Sequence, residues 1–115
     1  MRIIAVLGLV LAGFVVVAQA SQNRECGQAS WYAIENTTAS GEMMDPSQLT
    51  AAHPSHAFGT RLNVINQENG KSVIVRINDR GPFTKKRIID VSKAAAEELD
   101  FISDGHVEVC LLKVE

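Results

Sequence analysis

Glu42, His53 and Asp79 are the residues whose types suit acid–base chemistry and whose neighbours set them apart in this 115-residue sequence. Asp79 ends the run Val73-Ile74-Val75-Arg76-Ile77-Asn78-Asp79 and is followed at once by Arg80-Gly81-Pro82-Phe83. Val73, Val75 and Ile77 mark one face of a strand, and the same parity carried two residues on places Asp79 on that inward side. A carboxyl group at the rim of an apolar interior favours its neutral form, and an acid that stays protonated near neutral pH can donate a proton. The same residue can instead pair with Arg80 or cap the Gly-Pro turn, since structural ion pairs also perturb carboxylates. Glu42 lies in the polar, glycine-containing stretch 36–45, and His53 closes the short apolar segment Leu49-Thr50-Ala51-Ala52-His53. An isolated His beside two alanines is more often structural than functional. His53-x-x-His56 has a spacing that metal sites use, but no HExxH or CxxC pattern accompanies it, so neither a metal nor a cofactor is expected.

The elements that must position these residues belong to one small domain. Residues 1–20 read as a cleaved secretory signal: Arg2 precedes an apolar run from Ile3 to Ala18, and Ala18-Gln19-Ala20 is a small-x-small cleavage pattern. The run is shorter than the roughly 20 residues of a spanning helix, so no stable membrane anchor is expected after cleavage. Residues 21–115 then form one domain of about 95 residues with one core. Loss of Arg2 moves the formal charge from −2 to about −3, which argues against nucleic acid or an anionic membrane as partner and suits a neutral or weakly charged polymer. Cys26 and Cys110 sit near the two ends of this domain, and an even pair in a secreted chain predicts a disulfide.

Ala29–Ile34 reads as a first strand carrying the only Trp and the only Tyr, Trp31 and Tyr32; by alternation one of them faces the core, and either could stack on a sugar ring. Arg61–Ile65 and Lys71–Asn78 read as a hairpin around Asn69-Gly70, whose residue types suit the two positive φ angles of a type I′ turn. Arg87–Val91 is another strand, Ser92 an N-cap for a helix over Lys93–Leu99, and Asp90 a barrel or cap contact. His106–Val114 carries apolar residues on both faces and reads as a strand enclosed on both sides. Five or six short strands and one short helix indicate a small β-barrel.

The segments Ala29-Ser30-Trp31-Tyr32, Thr38-Ala39-Ser40-Gly41-Glu42, Leu49-Thr50-Ala51-Ala52-His53, Phe58-Gly59-Thr60, Ile77-Asn78-Asp79-Arg80-Gly81-Pro82-Phe83 and Arg87-Ile88-Ile89-Asp90-Val91-Ser92 together resemble the rare lipoprotein A family, in the right order and over nearly the whole domain. The resemblance implies a mainly β fold, a six-stranded double-psi β-barrel with one short α-helix. It implies endolytic cleavage of peptidoglycan glycan strands, with a preference for strands lacking stem peptides. Asp79 matches the catalytic acid/base, Glu42 and His53 the polar residues that support it, and Trp31, Tyr32, Asn78 and Arg80 are the expected substrate contacts. One carboxyl group suffices for such a lyase: it protonates the glycosidic oxygen and then takes the proton of the muramic C6 hydroxyl, which closes a 1,6-anhydro ring. Asp79 must then start protonated, helped by low local polarity or by Glu42, while strand parity sends Arg80 to the opposite face.

Many relatives are lipoproteins, and some carry a C-terminal glycan-binding repeat domain. Phe14 stands where the lipid-accepting Cys would be, so the expectation is a free, monomeric, secreted protein of the periplasm or the exterior of a bacterium. The competing expectation is a non-catalytic, expansin-like module that binds or loosens wall polysaccharide.

Overall fold

The computed structural model describes residues 24–115; the segment read as a signal lies outside the described residues. Six strands, β1 (Glu25–Tyr32), β2 (Thr50–Ala52), β3 (Arg61–Asn66), β4 (Ser72–Asp79), β5 (Arg87–Ser92) and β6 (His106–Lys113), close into a barrel in the order β1-β5-β2-β4-β3-β6. The pairs β1–β5 and β2–β4 are parallel and the other four are antiparallel. Of these pairings only β3–β4 joins consecutive strands, so almost every contact depends on segments distant in sequence. Among the described residues this is the six-stranded, mainly β barrel with one helix expected of a double-psi fold.

Alternation builds the core. Leu62 and Val64 on β3, Val73, Val75 and Ile77 on β4, Ile89 and Val91 on β5, and Val107, Val109 and Leu111 on β6 are all buried. Each such side chain contributes about 1.5–3 kcal/mol by leaving water. The helix α1 (Lys93–Leu99) starts as the residue types require: the Ser92 side chain accepts from the Ala95 amide, and Ala95, Ala96 and Leu99 face the core. Cys26 and Cys110 stand directly opposite each other on β1 and β6 and form the expected disulfide, across 84 positions of sequence.

Three local expectations are corrected. First, β1 begins at Glu25, four residues before Ala29, because its polar first half pairs antiparallel with β6 before its second half pairs with β5. Second, the β3–β4 connection is not a type I′ turn, since only Gly70 of the pair has positive φ, at 79°. The connection is longer: the Gly70 amide donates to Asn66 O at 2.8 Å, and the buried Asn66 side chain accepts from the Glu68 and Asn69 amides. Asn66 and Asn69 both donate their side-chain amides to Leu99 O, at 2.9 and 3.1 Å, so this turn is shaped by the end of α1 that it caps. Third, β6 is enclosed on one face; on the other, His106 and Glu108 are exposed and only the disulfide residue Cys110 is buried.

A disulfide between the first and last strands removes much of the freedom of the unfolded chain, on the order of 4–5 kcal/mol by the loop-entropy argument. Reduction, or the paired change Cys26→Ser with Cys110→Ser, is expected to lower the urea midpoint by a matching amount. An unchanged midpoint would mean that the barrel closes without its staple.

Candidate active site

The end of β4 departs from strand geometry at the place where the candidate acid sits. On β2, Ala51 pairs with Ile77 and Ala52 with Asp79, so two steps on β4 stand against one on β2 and Asn78 is the extra residue of a bulge. Ile77 and Asn78 are consequently both buried, and the inward parity of Val73, Val75 and Ile77 does not extend to Asp79. Asp79 is half-buried at the barrel rim, with its carboxylate among polar donors. Oδ1 accepts from the backbone amides of Ala39 and Arg80, both at 2.9 Å, and Oδ2 accepts from the Tyr32 hydroxyl at 3.0 Å. The apolar wall expected around this carboxyl is therefore replaced by three hydrogen-bond donors.

The loop that supplies Ala39 is held by its own bonds. Thr38 is buried, and its amide and its hydroxyl both donate to Glu42 O at 2.8 Å, while Met44 anchors the far side in the core. Gly41, at φ 96°, permits the tight return between Thr38 and Glu42. The Ser40 amide reaches Asn78 O at 3.2 Å, which ties the loop to the bulge. Glu42 then faces β4 rather than Asp79. Its carboxylate receives Arg76 Nη1 at 2.9 Å and Asn78 Nδ2 at 2.6 Å. These bonds, that from Arg76 first and that from Asn78 second, hold the Glu42 carboxyl below the usual carboxylate range. Neutralised in this way, Glu42 does not act on Asp79 as a bare negative charge.

His53 is buried directly after β2, and only its backbone meets Asp79: the His53 amide donates to Asp79 O at 3.1 Å. Its ring is turned the other way. Nδ1 accepts from the amides of Ser55 and His56, both at 3.1 Å, so the ring proton is on Nε2, which donates to Glu25 Oε1 at 3.1 Å. Burial pushes the His53 pKa below its ordinary value, and the Glu25 carboxylate opposes that shift. The His56 ring lies against it, tilted by 49°, with ring centroids 4.3 Å apart. Glu25, His53 and His56 each bring a ligand-type atom within 4.8 Å of one another. The Nδ1 bonds oppose metal binding there, because His53 has no lone pair free at Nε2 while that turn is intact.

Arg80 directs its side chain away from the Asp79 carboxylate, although the bulge has interrupted the strand parity that would assign it there. Its guanidinium donates to His53 O and His56 O, at 3.2 and 2.9 Å, and its Cζ lies 4.1 Å from the Phe58 ring centroid. Trp31 packs on the core and donates to Ile102 O at 3.3 Å, so Tyr32 is the member of that pair that reaches the site. Asn78 is buried with its Nδ2 on Glu42, and its Oδ1 has no hydrogen-bond partner among the described residues. Sequence reasoning singled out Tyr32, Glu42, His53, Asn78, Asp79 and Arg80; it assigned no role to Glu25, Arg76, Phe58 or the Ala39 amide, although Phe58 and Ala39 lie in the segments that carry the family resemblance. Arg76 also had a usable signal, being two residues before Asn78 on the outward face.

This geometry can be set beside known proteins. The family model described as lytic transglycolase, of the double-psi β-barrel type, matches residues 24–111. The chain belongs to the lytic transglycolase family. A relative named endolytic peptidoglycan transglycosylase RlpA, from Neisseria meningitidis, is 47% identical over 96 residues, which cover 79% of this chain and 40% of the relative. The protein of the same name from Yersinia pestis is 44% identical over 93 residues, covering 78% and 26%. A probable one from Treponema pallidum is 46% identical over 110 residues, covering 93% and 32%. The chain thus spans well under half the length of these relatives. Among solved structures, the Streptomyces papain inhibitor superposes with a TM-score of 0.69 at 23% identity, over 82% of this chain and 96% of that one. The apo expansin of Clavibacter michiganensis superposes with 0.64 at 23% identity, over 81% and 51%. These two likenesses show the fold alone.

The His53 turn carries a pH dependence of stability. The unfolded chain, with His53 at its ordinary value of 6.5, binds the proton more readily than the folded one. The associated stability is therefore complete above that value and is lost as the pH falls below it. The melting temperature is expected to drop as the pH is lowered through about 6.5, and less steeply in His53→Gln. Parallel profiles for the two proteins would assign the proton linkage to other groups.

Proposed function

We propose that this lytic transglycolase domain cleaves peptidoglycan glycan strands endolytically, as a lyase, with Asp79 as its single acid/base. The observation that carries the reading is the cradle at the end of β4, where a rim carboxyl is fixed by two backbone amides and a phenol in a family-matched barrel. Glu42 is paired with Arg76 and Asn78, which leaves Asp79 as the carboxyl group for the reaction. In the forward step the Asp79 proton passes to the glycosidic oxygen as its bond to C1 breaks. The C6 hydroxyl of N-acetylmuramic acid bonds to C1, and its proton returns to Asp79. No water is consumed, and one new chain end is a 1,6-anhydro sugar.

Glu42 and His53 support this chemistry by holding the loops on either side of Asp79. The preferred substrate under this reading is a glycan strand stripped of stem peptides. The disulfide suits an oxidising compartment, which favours the periplasm or the exterior of a bacterium. A non-cleaving, wall-loosening reading has one observation in its favour: both oxygens of Asp79 are already engaged, as those of a purely binding residue can be.

Incubation with peptide-free glycan strands followed by mass spectrometry is expected to reveal new 1,6-anhydro ends, with Asp79→Asn reducing their formation by about a hundredfold or more. Release of reducing ends without anhydro sugars would mean hydrolysis. Binding to insoluble peptidoglycan with no product, retained in Asp79→Asn, would mean a binding module.

A further inference from the structure

We infer that Tyr32 is a positioning residue that makes Oδ2 of Asp79 the oxygen through which the reactive proton passes. The inference rests on the lytic reading above and adds an atom and a partner to it. The two oxygens of Asp79 are not equivalent. Oδ1 faces two backbone amides, which are donors only and are fixed in place, that of Arg80 by the chain and that of Ala39 by the 38–42 turn. A proton on Oδ1 would meet both of them head-on. Oδ2 faces one partner, the Tyr32 hydroxyl at 3.0 Å, and a phenol can donate or accept by rotating about its C–O bond. The neutral acid therefore carries its proton on Oδ2, held by the Tyr32 oxygen until a substrate oxygen replaces it as the acceptor, and the carboxylate receives the Tyr32 proton instead.

One rotating hydroxyl thus serves both halves of the reaction. When the glycosidic oxygen takes the Oδ2 proton, Tyr32 turns to donate to the carboxylate left behind; when the C6 hydroxyl returns a proton, Tyr32 turns back. The phenol keeps its own proton throughout. Burial first and the Asp79 charge second push its pKa well above the ordinary value, and Asp90 adds a smaller push in the same direction. Asp90 is itself held by Ser30 and Arg87, on β1 and β5 beside Tyr32.

Two measurements on the intact protein test this. Tyr32 is the only tyrosine of the chain, so the ultraviolet absorbance of tyrosinate reports it alone. Tyrosinate is expected to form at lower pH in Asp79→Asn than in wild type; identical titrations would overturn the pairing, and this readout needs no activity. Tyr32→Phe keeps the ring and removes the hydroxyl, so kcat is expected to fall about tenfold or more with KM changed less than about twofold. A raised KM with unchanged kcat, or no change in either, would overturn the inference while leaving the lytic reading intact. If the wild-type protein makes no anhydro ends at all, the lytic reading fails and the catalytic role of Tyr32 with it.

Discussion

At the end of β4, Asn78 and Asp79 stand against the single step from Ala51 to Ala52 on β2, and the two faces of the strand exchange roles there. Without that extra residue the alternation of Val73, Val75 and Ile77 would put the carboxyl among aliphatic side chains, where it has no partners. With it, Asn78 takes the buried position and Asp79 comes to the rim. Bulges bend a strand and re-aim its side chains, and here the re-aimed residue is Asp79, the acid/base of the proposed reaction. The Ser40 amide on Asn78 O and the Ala39 amide on Asp79 Oδ1 then fix one loop to the bulge, while the His53 amide on Asp79 O fixes the other.

The charged residues around the site mostly hold backbone or one another. Arg76 and Glu42 pair beside Asn78, Arg80 gathers the carbonyls of His53 and His56 under Phe58, and Glu25 orients the His53 ring. An exposed ion pair such as Arg76–Glu42 contributes little stability, about 0–1 kcal/mol. The effect of these contacts is on position: each removes a mobile charge from the neighbourhood of Asp79 and fixes a loop that borders it. The barrel supplies the rigidity behind them, through parallel pairs that join distant segments and through the bond between Cys26 and Cys110.

Much of this was legible in the sequence where local chemistry decides. The apolar alternation of β3 and β4, the Ser92 cap with its alanine-rich helix and the pairing of two terminal cysteines depend on residue type and spacing, and they hold in the structure. What escaped depends on partners far away in the chain. The bulge is defined by β2, the turn at Asn69-Gly70 by the end of α1, and the early start of β1 by β6. The His53 ring follows the same pattern. Its motif marks it as important, but its partner Glu25 lies 28 positions earlier with no spacing rule to connect them. The direction of that ring changes its meaning, from a group aimed at Asp79 to one that fixes the turn beside it.

Under the proposed function, the Asp79 cradle is the place where a glycan strand meets the protein. A crystal structure of Asp79→Asn bound to a peptide-free glycan oligomer tests this most directly. The scissile glycosidic oxygen is expected within about 3 Å of the side-chain atom facing Tyr32, with the strand crossing the rim between the 38–42 and 53–58 loops. A glycan seated on another face of the barrel, with the side chain at position 79 still enclosed by its donors, would contradict it.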